Sequence, residues 1–490
     1  VGVKVALGAG FALIAVSVAL VLTGSPPRVV GGRIGGVQEI FGQLHGRARA
    51  CQGDEQLPAG ATAVRLDLEA VIGPSVAATA QAGGRVLASG TTGSGWTGAD
   101  VTVPVGRIRE AAPDATVCIA LGPSREPVTI IGPPRSASAT IQTSEGALRG
   151  RLGVEYLAPG DRSWWSQIPE VARRVGLGRI PSGTWVALLA ASLMLAAVAL
   201  AFWLAVARRT SAAWGCALVA FLSAASWSIL TPPFQTPDEP AHFAYVQQLA
   251  EAHRLPVGDA KEYSPEEQAA LEDLHHAEVQ FMPSAKTISL EAEQRKLEHD
   301  LGEHLSRRGP GDAGTAANEP PLYYTLELVP YELGSGGSLL LRLQLMRLLS
   351  ALLGAITALF GFMFVRETLP GAPWTWTSAG LAMALAPLLG FVSGSVNPDT
   401  LLAAISALLL YLLARAFRRG LTPRLGAAVG ATIVAGLVTK LNFLGLVPGV
   451  LIALLVIARR APAVSRRSTY KALAIAVAIA VSPAVLYPLL

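Results

Sequence analysis

The sequence predicts an α-helical polytopic membrane protein that carries an N-terminal all-β domain, a sandwich or jelly roll, outside the membrane. Three observations predict it. Of 490 residues, 51% are hydrophobic and 15% charged, with a mean hydropathy of +0.45, a balance no ordinary soluble domain shows. About nine apolar runs are long enough, or nearly so, to cross a bilayer. Between the first two lies a long stretch of short β-rich runs broken by Gly, Pro and Asn/Asp turns.

The apolar runs are 3–22, 184–206, 212–230, 343–365, 374–396, 401–414, 425–438, 443–458 and 472–490. The first, within a 1–24 segment, is long for a signal peptide, and T-G-S is a poor cleavage site, so a retained anchor is expected. The chain starts at Val1 rather than Met and stops at Leu490 at the edge of an apolar run; a fragment with further helices beyond it is an expectation. Net charge is +5, but the basic residues do not form a nucleic-acid patch. Arg208 and Arg209, then Arg415, Arg418, Arg419 and Arg424, then Arg459, Arg460, Arg466, Arg467 and Lys471 fall in alternate short loops. That is the positive-inside pattern. It places these loops and Lys4 in the cytoplasm of a bacterial inner membrane protein, and 25–182, the 231–337 loop, Asn397–Asp399 and Lys440 outside.

Residues 25–162 form the β domain. The runs 61–71, 75–82, 85–90, 100–106, 115–122, 127–132, 138–143 and 151–157 are the expected strands, at a spacing that suits a sandwich or jelly roll. Of the three cysteines, Cys216 sits in a span as packing. Cys51 and Cys118 share the outer domain, where a disulfide is permitted; two buried thiols are the alternative. Residues 163–183 follow. Trp164, Trp165, Ile168, Val171 and Val175 make a helical stripe beside Arg173 and Arg174, which suits a helix lying on the membrane surface or a packed linker. The two spans of 184–230 come next.

The loop 231–337 holds the most informative run, TPPFQTPDEPAHF at 231–243. Helices are expected at 241–252, at 264–274, where Ser264, Pro265 and Glu267 read as a capped start, and at 288–308. Most of the loop's charges, with His275, His276, His299 and His304, read as solvated surface. Ionisable residues are absent from the interiors of the predicted spans, where a transporter or pump needs them. They collect at outer ends: Asp238, Glu239 and His242; Asn397 and Asp399; Lys440; Arg342 and Arg347.

Asp238 is placed to cap the following helix, with Glu239 in its first turn. The same spacing puts Asp238, Glu239 and His242 on one face. There a carboxylate could take a proton from a sugar hydroxyl, or Asp238 and Glu239 could hold a divalent cation, Mg or Mn. The sequence does not separate cap, base and metal ligand. NEPPLYY at 318–324 supplies Asn318, Tyr323 and Tyr324, suited to stacking on a sugar or to interfacial anchoring. Lys440 is placed for a lipid phosphate or as a snorkelling lysine, with Arg347 as its assistant or as a cap on the bundle edge. Asn397-Pro398-Asp399 reads as a helix end and a cap, with Asp399 a substrate contact. The segment 338–490 completes the helical core.

Together these residues resemble the GT-C superfamily of polyprenyl-phosphate-dependent glycosyltransferases. PPFQTPDEPAHF is similar to the signature loop of a bacterial multi-pass membrane-protein family placed near that superfamily. PPLYY, SVNPD and TKLNFLGL are weaker support. The resemblance covers 212–490 and implies a GT-C-like helix bundle with an acidic catalytic residue at Asp238, Glu239 beside it, and donor phosphate held by Lys440. The order of anchor, β domain, two spans and acidic loop resembles mycobacterial cell-wall arabinosyltransferases, although the loop reads DEP rather than paired aspartates. The expected function is an inverting glycosyltransferase that moves a sugar from a polyprenyl-phosphate donor to a cell-envelope glycan or lipid acceptor, with the β domain binding glycan or a partner subunit. The alternatives are a scaffold of envelope polysaccharide export and a lipid-linked glycan transporter.

Overall fold

The computed structural model describes residues 2–25, 27–33, 39–132, 140–207, 212–256, 263–279, 291–309 and 313–486. Arg208 and Arg209, residues 138–139 of one expected strand, 288–290 of one expected helix and 487–490 of the last apolar run lie outside them. The chain divides into two compact units, Val1–Leu177 with Leu271–Leu297, and Gly178–Ala270 with Glu298–Leu490.

The first unit begins with helix α1 (Gly2–Leu22) and then builds a β domain over 28–158. Its strands are β1 (Arg28–Arg33), β2 (Glu39–Leu44), β3 (Arg49–Leu57), β4 (Ala63–Leu66), β5 (Leu68–Glu69), β6 (Val76–Ala82), β7 (Arg85–Thr92), β8 (Val101–Pro104), β9 (Ala112–Leu121), β10 (Val128–Gly132), β11 (Thr140–Thr143), β12 (Gly146–Arg149) and β13 (Val154–Ala158). All pairings are antiparallel. They make three sheets, ordered β1-β13-β4-β8, β2-β10-β5 and β12-β11-β3-β9-β6-β7, around one apolar core that includes Val64, Leu66, Val76, Ile119, Ile130 and Tyr156. The sandwich or jelly roll expected from the sequence is met at the level of antiparallel sheets around one core. Each of the eight expected runs forms a strand, and the 61–71 run splits into β4 and β5. Cys51 and Cys118 stand directly opposite on β3 and β9, with Cα atoms 4.0 Å apart, and are disulfide-bonded.

Strands β1, β2, β3 and β12 escaped the pattern reading. The reason is plainest for β3, whose polar Gln52 and Glu55 are buried. Gln52 donates to Glu55 (2.9 Å) and accepts from the Leu152 amide (2.7 Å), and Tyr156 donates to Glu55 at 3.2 Å. A strand that buries a satisfied polar network carries no apolar alternation. Helix α2 (Trp164–Val175) closes this part, with Ser163 as a bonded N-cap. Trp164, Trp165, Ile168 and Val171 are exposed on it, and the Trp165 indole donates to the Ala19 carbonyl of α1.

The second unit is helical. Its elements are α3 (Trp185–Ala207), α4 (Ala213–Leu230), α5 (Glu239–Ala252), α6 (Pro265–Asp273), α7 (His276–Val279), α8 (Glu291–Gly302), α9 (Leu322–Leu333), α10 (Leu339–Thr368), α11 (Pro373–Ala384), α12 (Pro387–Ser393), α13 (Asp399–Arg419), α14 (Pro423–Thr439), α15 (Val447–Arg460) and α16 (Arg466–Leu486), though α7 and parts of α6 and α8 belong to the first unit. Among the described residues, five helices are long and apolar enough to span a membrane: Trp185–Val206, Ala213–Leu230, Leu339–Thr368, Asp399–Arg419 and Leu441–Arg460. Of the nine expected runs, these five meet that test among the described residues, or six with the bent pair α11 and α12, which turns by 54°. Pro387 lies inside the expected 374–396 run, and a proline breaks a helix before itself. The break lets α12 press against α4: a Cβ at Gly394 would stand 2.7 Å from the Ser228 amide. Gly8–Leu22 and Pro423–Thr439 are shorter apolar helices.

The loop helices follow expectation with shifted ends. Ser264 caps α6 by accepting from the Glu267 amide at 3.2 Å. The reciprocal half of the capping box is missing. Glu267 is fully buried and neither carboxyl oxygen has a hydrogen-bond partner; burial, then Glu266, holds its pKa well above the usual range. His299 and His304 are exposed as expected, His275 and His276 are half-buried, and Asp273 is buried.

Candidate functional site

The 231–243 segment turns back on itself before α5 starts. Phe234 and Asp238 both adopt left-handed backbone, φ 62° and 59°, uncommon for any residue with a Cβ and rarer for an aromatic. Phe234 is buried edge-on against Phe243, centroids 5.7 Å apart, which fixes the first bend. The left-handed residue at 238 fixes the second. Asp238 occupies the N-cap position as expected, yet its side chain makes no capping bond and is exposed. A capping residue normally has extended backbone, and the left-handed conformation replaces it. The cap reading of the Asp238 carboxylate is thereby corrected.

Glu239 goes the other way. It is fully buried. Its Oε1 accepts from Arg347 Nε (2.8 Å) and the Val396 amide (3.0 Å), and its Oε2 from Arg347 Nη2 (2.5 Å) and the Phe234 amide (2.9 Å). A carboxylate has about four acceptor sites, and these are all in use. Arg347, 1% exposed, is equally full. Nη1 donates to the Ser228 carbonyl (2.9 Å) and the Thr231 carbonyl (2.8 Å), and Nη2 also to Pro232 (3.0 Å). With the two bonds to Glu239, the five donors of a guanidinium are spent. Two expectations fall here. Arg347 has no donor left for a lipid phosphate, and Glu239 has no lone pair left for a metal ion or an acceptor hydroxyl. The pair Asp238–Glu239 does not fit a divalent cation, and among the described residues no three His, Cys, Asp or Glu side chains are grouped to hold one.

His242, one turn on, is 5% exposed. Its Nδ1 lies 3.0 Å from the Tyr324 hydroxyl. Burial first, and Lys440 second, push its pKa down to about 3, so the imidazole is neutral and is not a general base on an open face. Tyr324 stacks on Tyr245 at 3.7 Å with 8° between the planes, and Tyr323 bonds Ser350 at 2.8 Å. Both tyrosines are fully buried. They neither anchor at a membrane surface nor offer a face to a sugar, which corrects that expectation. Behind them Ser350 donates to the buried Glu327 at 3.3 Å, a carboxyl whose pKa burial raises well above normal.

The open part of the site gathers around Lys440, the extended residue after α14. Its ammonium meets Asp399 at 2.8 Å and Glu319 at 3.8 Å. Asp399 opens α13, and its amide donates to Asn397 Oδ1 at 2.9 Å; the N-cap position is Pro398, with no side-chain capping bond, and the Asp399 carboxylate is left for Lys440. The Tyr324 phenol, bonded to His242, feels the charges of this group. Burial raises its pKa most, followed by Glu319, Tyr245, Asp399 and Asp238. The structure thus gathers Asp399 and Glu319 around Lys440, with His242 and Tyr324 bonded to each other beside them and Asp238 one turn before His242. Asn318 is exposed; Glu319, its neighbour in the same NEPPLYY motif, makes the contact instead. Glu319 was the legible residue that sequence reasoning passed over. Arg342 is not part of this group: it is buried on Glu266 (2.5 Å) and the Tyr331 hydroxyl (2.7 Å).

No curated protein and no solved structure matches the chain. The model of one family, described as Predicted membrane protein (DUF2142), matches residues 221–489. That span takes in the acidic loop, the Glu239–Arg347 pair, the Lys440 group and four of the five candidate spans, if the truncated match to α4 is included. It covers more than half of the sequence, and the chain belongs to this family of membrane proteins.

Proposed function

We propose that the chain is a multi-pass membrane glycosyltransferase of GT-C type that works on the extracytoplasmic face of a bacterial inner membrane. It moves a sugar from a polyprenyl-phosphate donor to a cell-envelope glycan or lipid acceptor. The observation that carries the reading is Asp238: an exposed carboxylate, freed from capping by its left-handed backbone, beside a group that holds a lysine. Asp238 accepts the proton of the acceptor hydroxyl. The hydroxyl oxygen forms the new bond to the anomeric carbon as the bond to the phosphate oxygen breaks, and polyprenyl phosphate leaves with the electron pair. Lys440 faces the phosphate as a point charge. It is shared between Asp399 and Glu319, so the phosphate replaces one of them on the ammonium. His242 and Tyr324 hold the floor of the site and touch no substrate. The outer face is supported by the Cys51–Cys118 bond, which suits an oxidising compartment, and by the arginine-rich alternate loops. In this reading the β domain binds glycan or a partner subunit.

A scaffold role in polysaccharide export is favoured by a different observation: Glu239 of the loop and Arg347 of α10 are spent wholly on each other and on backbone groups that hold the loop in place. One experiment separates the two. A deletion strain is complemented with wild type or Asp238→Asn at equal membrane levels, and its envelope glycans are analysed. Loss of one linkage with Asp238→Asn supports the transferase. Full restoration sinks it and leaves the scaffold.

A further inference from the structure

An apolar cavity lies away from the Lys440 group. It is a partly open cleft of about 700 Å³, within the range of small-molecule sites. Its walls are apolar: Phe364 of α10, Leu409, Leu413 and Phe417 of α13, and Gly449 and Val450 of α15. From Arg347 to Glu367 along α10, and from Asp399 to Arg418 along α13, the helices rise about 30 Å at 1.5 Å per residue, which is one hydrocarbon thickness. The cleft therefore opens toward the leaflet opposite the Lys440 group. At its rim Glu367 is buried and is held by Arg419 at 2.6 Å and Arg418 at 3.3 Å. Two guanidiniums share one carboxylate, which leaves a positive charge in excess where Arg418 lines the cleft.

We infer that this cleft binds one anionic phospholipid of that leaflet, its acyl chain between α10, α13 and α15 and its phosphate at Arg418. An apolar slot with a surplus guanidinium at the membrane surface matches that chemistry at both ends. A zwitterionic lipid would fill the slot and bring a phosphate, but its own ammonium offsets that phosphate and leaves the excess positive charge uncancelled. The inference does not depend on the glycosyltransferase reading.

The test is native mass spectrometry of the full chain in detergent, titrated with phosphatidylglycerol or phosphatidylcholine. Wild type is expected to retain one phosphatidylglycerol at about fivefold lower concentration than phosphatidylcholine, the effect of one basic side chain near an anionic headgroup. Gly449→Phe fills the cleft; a Cβ there meets nothing within 4 Å, so the helix accommodates it. This variant is expected to lose the retained lipid. Arg418→Gln, which leaves Arg419 on Glu367, is expected to bind the two lipids equally. Undiminished phosphatidylglycerol retention by Gly449→Phe overturns the site. So does a wild type that binds both lipids alike, or an Arg418→Gln variant that keeps the preference. If Arg418→Gln does not fold, the wild-type titration and Gly449→Phe decide alone.

Discussion

Two charged centres flank the acidic loop, and they differ in how completely they are satisfied. Glu239 and Arg347 are 0% and 1% exposed, and their hydrogen-bonding positions are all taken within the chain. Lys440, Asp399 and Glu319 are 16%, 49% and 24% exposed, with one ammonium for two carboxylates and Asp238 near by. A filled, buried pair fixes geometry and leaves nothing for a ligand. An unfilled, open group has capacity to spare. Adjacent residues, Asp238 and Glu239, end up on opposite sides of this divide because the left-handed backbone at 238 turns one out and the other in.

The largest effect should come from breaking the buried centre. Arg347→Met leaves the Glu239 carboxylate buried without its cation, and unfolding in detergent should show a loss of about 3–5 kcal/mol or no folded protein at all. Pairing it with Glu239→Gln should recover part of that loss. Arg347→Lys should recover little, since three donors cannot replace five. If Arg347→Met unfolds like wild type, the buried centre is not what holds the loop.

The next effect is pH-linked and tests the floor between the two centres. His242 has a folded pKa depressed to about 3, against about 6.5 unfolded. Its neutral form is the folded form, so its contribution is complete above about pH 6.5 and is lost as pH falls toward 3. At pH 5 the loss should be about 2 kcal/mol. His242→Gln should have a shallower acid slope than wild type, measured as the difference in unfolding free energy between pH 7 and pH 5. Equal slopes would mean that the imidazole is not shielded.

The smallest effect on stability belongs to the open centre. Lys440→Met should change unfolding by less than about 1 kcal/mol, while abolishing donor use in a membrane assay with a radiolabelled polyprenyl-phosphate sugar. A large stability loss would move Lys440 into the structural class with Arg347 and remove the phosphate role.

How much of this was legible in the sequence depends on the range of the interaction. Local patterns read well: eight strand runs, the helix after Asp238, the Ser264 cap and the Cys51–Cys118 pair all form. Glu239 and Arg347 are 108 residues apart, and no local period joins them. The backbone at Asp238 was equally hidden, since the sequence allows both an extended cap and a left-handed turn. Tyr323 and Tyr324 misled because adjacent tyrosines beside prolines suit an interface, while here their hydroxyls find buried partners in Ser350 and His242. Within the 374–396 run, Pro387 bends the helix where apolar composition alone shows one continuous span.

The four bonds on Glu239 also set a schedule. Phe234 leaves the ribosome before Glu239, Arg347 follows 108 residues later and Val396 157 residues later. At synthesis rates of about 5–20 residues per second, the carboxylate waits roughly 10–30 s for its last donor. Until Arg347 arrives, the nascent loop holds an unanswered acid beside α4. The loop cannot lock until the broken helix of α11 and α12 has been delivered, so the final shape of this end of the protein is a late event in its biogenesis.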